Sequence, residues 1–102
     1  MTQVANKLGS GRTTVAASGT PVQLSTTGVA ICAVVISPLT TNTNPVVVGG
    51  PEVVGASATR KGVVLRPTDG PVRFYANDLS TIYVDAQTSG EGVSWTYESR
   101  AL

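Results

Sequence analysis

Residues Leu79 to Glu98, LSTIYVDAQTSGEGVSWTYE, constrain the fold of this chain more than any other stretch. Ile82, Val84 and Ala86 alternate with Tyr83, Asp85 and Gln87, the period of two that marks a strand burying one face. The alternation breaks at Gln87-Thr88-Ser89-Gly90-Glu91-Gly92. It resumes with Val93, Trp95 and Tyr97 against Ser94, Thr96 and Glu98. Two alternating runs joined by a short loop with two glycines predict a β-hairpin. The stretch holds the only Trp and two of the three Tyr, so it is expected to anchor the core.

The remaining chain repeats this grammar. Arg12–Ala17 is β-branched, and Val22 and Leu24 face away from Gln23 and Ser25 after the Gly19-Thr20-Pro21 turn. Val29 to Ser37 is apolar on both faces, which suits a central strand or one that lends a face to a subunit interface. Val46–Val48, Val63–Leu65 and Val72–Tyr75 are short strands between Gly- and Pro-rich turns, and Glu52–Lys61 reads as a crossing between sheets. Eight or so short strands with turns about every ten residues, and no helical pattern, predict an all-β fold. Two antiparallel sheets packed as a β-sandwich, in Greek-key or jelly-roll order, is the economical arrangement. Residues 1–12 read as an extended N-terminal arm, either a frayed terminus or a segment that orders on a neighbouring subunit. Residues 13–98 form the sandwich domain and 99–102 a tail.

A net charge of +1, with only 13% of residues charged, argues against nucleic acid as a partner. No apolar run is long enough to cross a membrane as a helix, and the first residues lack a secretory pattern. Synthesis and folding in a cytoplasm are therefore expected. The single Cys32 sits in an apolar run and reads as a small buried side chain. There is no His, the commonest general base and metal ligand. The carboxylates Glu52, Asp69, Asp78, Asp85, Glu91 and Glu98 are dispersed, and Asp69 and Asp78 suit turns. Asp85 and Glu91 flank one loop, where a cation or a glycosidase pair is conceivable but solvated charge is favoured. The aromatics fit a core better than a sugar platform. No enzyme activity, catalytic residue, metal or cofactor is expected.

The pattern from Gly19 to Glu98 resembles small structural proteins of tailed bacteriophages. The likeness rests on GTPVQL, on Val46, Val48, Gly49 and Gly50 in NPVVVGG, and on LSTIYVDA followed by GEGVSWTYE. It covers about four fifths of the chain and its motifs are structural. It implies a small all-β virion protein, foremost a capsid decoration (cement) protein on the capsid exterior, with the major capsid protein as partner. A homotrimer is the expected oligomer, because closed symmetry protects strand edges. Lys7, Arg12, Arg60, Lys61, Arg66 and Arg73 are the candidate capsid contacts, through an acidic protein surface. Val29, Ile31, Val35 and Ile36 are the candidate oligomer-interface residues. The other reading is a host-recognition or carbohydrate-binding module of a tail or fibre. Its ligand-binding side chains would cluster at the loop tips Thr40–Asn44 and Gln87–Glu91.

Overall fold

The computed structural model describes residues 6–29, 31 and 33–100. Eight strands follow in order: β1 (Asn6–Thr14), β2 (Val22–Gln23), β3 (Ala33–Pro38), β4 (Val46–Gly49), β5 (Val63–Leu65), β6 (Val72–Tyr75), β7 (Tyr83–Ala86) and β8 (Gly92–Arg100). A 3₁₀ turn, Leu79–Thr81, precedes β7; Asp78 caps it by accepting the Ser80 N–H. The strands form two four-stranded antiparallel sheets, β1-β8-β3-β6 and β2-β7-β4-β5, packed as a β-sandwich. β1 pairs with β8, β2 with β7, β3 with β6 and β4 with β5, as though the chain were doubled back on itself and then rolled. That is jelly-roll connectivity.

The core lies between the sheets. Val34 and Ile36 of β3, Val46 and Val48 of β4, Val84 and Ala86 of β7, and Val93 of β8 are buried, with Val15, Leu24, Leu65, Leu79 and Ile82 around them. Val22, Val72, Phe74, Trp95 and Tyr97 pack on this cluster from its margins. Each fully buried Val or Leu contributes about 1.5–3 kcal/mol, so most of the hydrophobic stabilisation comes from aliphatic residues of modest size.

Several expectations need correcting. The Leu79–Glu98 stretch does contain two strands, but they are not a hairpin. β7 lies in the second sheet and β8 in the first, so the Gln87–Glu91 loop is an arch over the end of the sandwich. Alternation reports the burial of a face and is blind to which strand is the neighbour. The 52–61 connection, expected to cross between sheets, instead joins β4 to β5 within one sheet, with an antiparallel bridge Val54–Lys61. Residues 6–12, expected as an arm, are the first part of a nine-residue strand in register with β8 from Asn6–Arg100 to Thr14–Gly92. The double-faced apolar run begins its strand only at Ala33. Residue Cys32, expected to be buried, lies outside the described residues.

Loop 50–62 folds across the outer face of the second sheet. It accounts for the full burial of Val47, which points away from the intersheet core. A Cβ on Gly55 would stand 2.7 Å from the Ala86 carbonyl carbon, so the loop backbone rests directly on β7. The second sheet is thus covered on both faces. Among the described residues, nothing folds over the outer face of the first sheet.

Candidate functional surface

The carboxylates come first, because any acid–base or metal chemistry would begin with them. Asp85 is 1% exposed and lies on β7 beneath loop 50–62. Its Oδ2 accepts the Gly55 N–H at 2.8 Å, and its Oδ1 accepts the Gly19 and Ala86 N–H groups at 3.0 and 2.9 Å. One side chain therefore pins the 15–20 turn and loop 50–62 to the same strand. A buried carboxyl group is tolerated here because backbone donors satisfy its oxygens.

Glu91 works the same way at the end of the sandwich. It accepts the Thr43 N–H and hydroxyl on Oε2 and the Asn44 N–H on Oε1. Burial alone would raise the Glu91 pKa, but these donors outweigh it and hold the carboxyl below its ordinary value. Asn42 is buried and pairs with Gly92 as a strand residue would, donating Nδ2 to its carbonyl at 2.8 Å and accepting its N–H at 3.2 Å. Asn44 adds a 2.9 Å bond to the Thr88 hydroxyl. The loop tips 40–44 and 87–91 do meet, as a carbohydrate site would require. Their polar side chains, however, largely bond one another.

Asp78 accepts the Ser80 N–H, the Ser80 hydroxyl and the Val29 N–H, which lower its pKa in that order of backbone, side-chain and further backbone contribution. Asp69 accepts the Arg66 N–H across the β5–β6 turn. These four carboxylates are engaged with the backbone of their own folds. No group of three or more acidic or Cys residues that could hold a metal ion occurs among the described residues. A cavity of about 130 Å³ is lined by Gly49, Gly50, Glu52, Val53, Lys61 and Gly62 beside the β4–β5 connection.

The expected contact residues separate into two groups. Arg12 on β1 and Arg73 on β6 lie on the outer face of the first sheet, at its opposite edges, and both are exposed. Lys7, also exposed, is on the β1 edge. Arg60 and Lys61 belong to the loop over the second sheet, and Arg66 to the β5–β6 turn. Arg60 is half-buried, donates Nη2 to Gln87 Oε1 at 2.7 Å, and leaves its buried Nε without a partner among the described residues. The six cations do not form one patch. Of the interface candidates, Ile31 and Ile36 are buried in the core and are unavailable to a partner. Val29 packs at the core margin. Val35 alone is placed on the open outer face, because it is opposite Thr96 and Arg73 in the ladder.

That open face is built row by row from the register. One row runs Leu8–Glu98–Ala33–Tyr75, the next Ser10–Thr96–Val35–Arg73, and a third begins Arg12–Ser94–Ser37. Hydroxyl pairs bridge strands within it, Ser10 with Thr96 at 3.1 Å and Ser37 with Ser94 at 3.0 Å. Leu8 and Tyr75, 76% and 79% exposed, stand at the two ends of the first row. Apart from Glu98, the side chains between the larger ones at the edges are short.

On the inner side of the same sheet, the pairs Gly9–Tyr97 and Gly11–Trp95 are cross-strand neighbours. A Cβ on Gly9 would come within 2.3 Å of the Tyr97 ring, and one on Gly11 within 2.2 Å of the Trp95 ring. The rings lie over bare backbone, tilted at 32° with centroids 5.9 Å apart. Trp95 donates Nε1–H to the Thr13 hydroxyl, which in turn donates to the Leu24 carbonyl at 2.6 Å. The spacing Gly-x-Gly against Trp-x-Tyr was present in the sequence, but it became readable only once β1 and β8 were known to pair. No family model, curated protein or solved structure matches the chain.

Proposed function

We propose that this chain is a non-enzymatic structural protein of a tailed-bacteriophage virion, a decoration protein that binds the outer capsid lattice and stabilises it. It would be made in the host cytoplasm and end on the capsid exterior. The observation that carries the reading is the open face of the β1-β8-β3-β6 sheet, four strands wide, floored by Ser, Thr, Ala and Val around a single acid, Glu98, and flanked by Arg12 and Arg73. A face of mostly short side chains can lie against another protein with little loss of side-chain entropy. The two edge cations then favour an acidic shell surface. The likeness of Leu79–Glu98 to phage structural proteins supports the same reading. Added contact area between shell proteins, rather than chemistry, would resist internal pressure.

Deleting residues 1–12 is unsuitable as a test, because it would remove most of β1 from the sheet. The double variant Arg12→Glu, Arg73→Glu leaves the core alone. Wild-type protein should co-sediment with DNA-filled capsids, and the variant should bind about ten-fold more weakly or worse at low salt. Equal binding by both would remove the face from the account.

A further inference from the structure

The geometry points to the edge of β1, unpaired among the described residues, as a self-pairing edge, joining two copies about a two-fold axis at Ser10 into one continuous eight-stranded sheet. The inference sets a dimer in place of the homotrimer expected from sequence, and does not depend on what the virion partner is.

Which backbone groups face that edge follows from hydrogen bonds already described. Gly92 turns its N–H and C=O towards Asn42 and Leu39, on the β3 side of β8. By the alternation of an antiparallel ladder, Val93, Trp95, Tyr97 and Ser99 turn theirs towards β1, where they meet Thr13, Gly11, Gly9 and Lys7. Asn6, Leu8, Ser10, Arg12 and Thr14 therefore direct N–H and C=O outward. Nine residues is long for an edge strand, and such an edge is a template for another strand.

The side chains choose the partner. With Ser10 opposite itself, Leu8 falls opposite Arg12 of the second copy, Lys7 opposite Thr13, and Gly9 opposite Gly11. No like charges stand opposite each other. On the outer face, the row becomes Glu98–Leu8–Arg12 of the second copy. The Arg stem covers the exposed Leu8, and its guanidinium is directed towards Glu98. On the inner face, the bare Gly9–Gly11 pairing lets the Tyr97 ring of one copy approach the Trp95 ring of the other. Both contacts occur twice by symmetry.

The ring arrangement expected from sequence is less well served. A head-to-tail trimer would set β1 against β6, an edge of only four residues, and would bring Arg12 towards Arg73.

Light scattering on the full chain across a dilution series should give a dimer. Ser10→Pro removes an N–H that faces outward, so β1–β8 pairing and the circular dichroism spectrum should be retained. The dimer dissociation constant should rise about ten-fold or more. In a Cys32→Ser background, Ser10→Cys should cross-link to a dimer on mild oxidation, whereas Thr14→Cys should not, since the two Thr14 positions are far apart in this register. A monomer at every concentration, a trimer, or a dimer indifferent to Ser10→Pro and cross-linking equally at both cysteines would overturn the proposal. If Ser10→Pro lost its fold, the cross-linking pair would decide alone.

Discussion

Asp85 shows how one side chain can hold three pieces of backbone. Gly19, Gly55 and Ala86 all donate to it, and it is almost wholly buried. Asp85→Ala would leave those donors without an acceptor in a place water cannot easily reach. It should cost about 3 kcal/mol or more, read as a lower urea midpoint. A loss under about 1 kcal/mol would mean that water replaces the carboxylate freely. The half-buried Asp78 and Glu91 act through pH instead. Both pKa values are depressed in the folded state, so both contribute stability above the unfolded values, about 3.9 for Asp and 4.3 for Glu. That contribution is lost as pH falls below those values towards the folded ones. Urea midpoints should fall on acidification through this window, and Glu91→Gln should show a shallower fall than wild type. Sequence marked Asp78 as a turn former and Asp85 and Glu91 as solvated loop charges, and could not say whose backbone they hold, because both of Asp85's distant donors lie at least thirty residues away in the chain.

Among the elements, β1 and β8 carry the most. The rings of Trp95 and Tyr97 need Gly11 and Gly9 beneath them. Gly11→Ala should displace an indole already tied to Thr13, at a cost of about 1–3 kcal/mol and with a red shift in Trp fluorescence. Unchanged emission would show that the ring can slide at no cost. Thr13→Val should weaken the fold by about 1–2 kcal/mol, because Trp95 Nε1–H and the Leu24 carbonyl lose their shared partner. Ser10→Ala, on the solvent side, should stay within about 0.5 kcal/mol of wild type. These elements also show where reading the sequence succeeds and stops. Alternation at Val93, Trp95 and Tyr97 gave the buried face of β8 correctly. The partner of β8 was invisible, since Gly9 and Gly11 look like punctuation until the aromatic rings are laid over them. Val29 and Ile31 looked like strand, yet they form the approach to β3 and bond to Leu79 and Asn77 instead.

At the scale of the whole molecule, strand number and the two-sheet sandwich were legible from turn spacing, whereas pairing was not. The jelly roll pairs first strand with last, which no local pattern encodes. Such folds serve shells and lectins alike, so architecture does not choose the function. The choice rests on the asymmetry between the sheets: one is covered by loop 50–62, the other is open and edged by Arg12 and Arg73. The central claim is that this open face binds a capsid. Its most direct measurement is co-sedimentation of purified protein with DNA-filled capsids of the tailed phage proposed to encode it, wild type beside Arg12→Glu, Arg73→Glu. The account predicts saturable binding by the wild type and loss in the variant with its fold intact. Wild-type protein that stays in the supernatant at every concentration would contradict it.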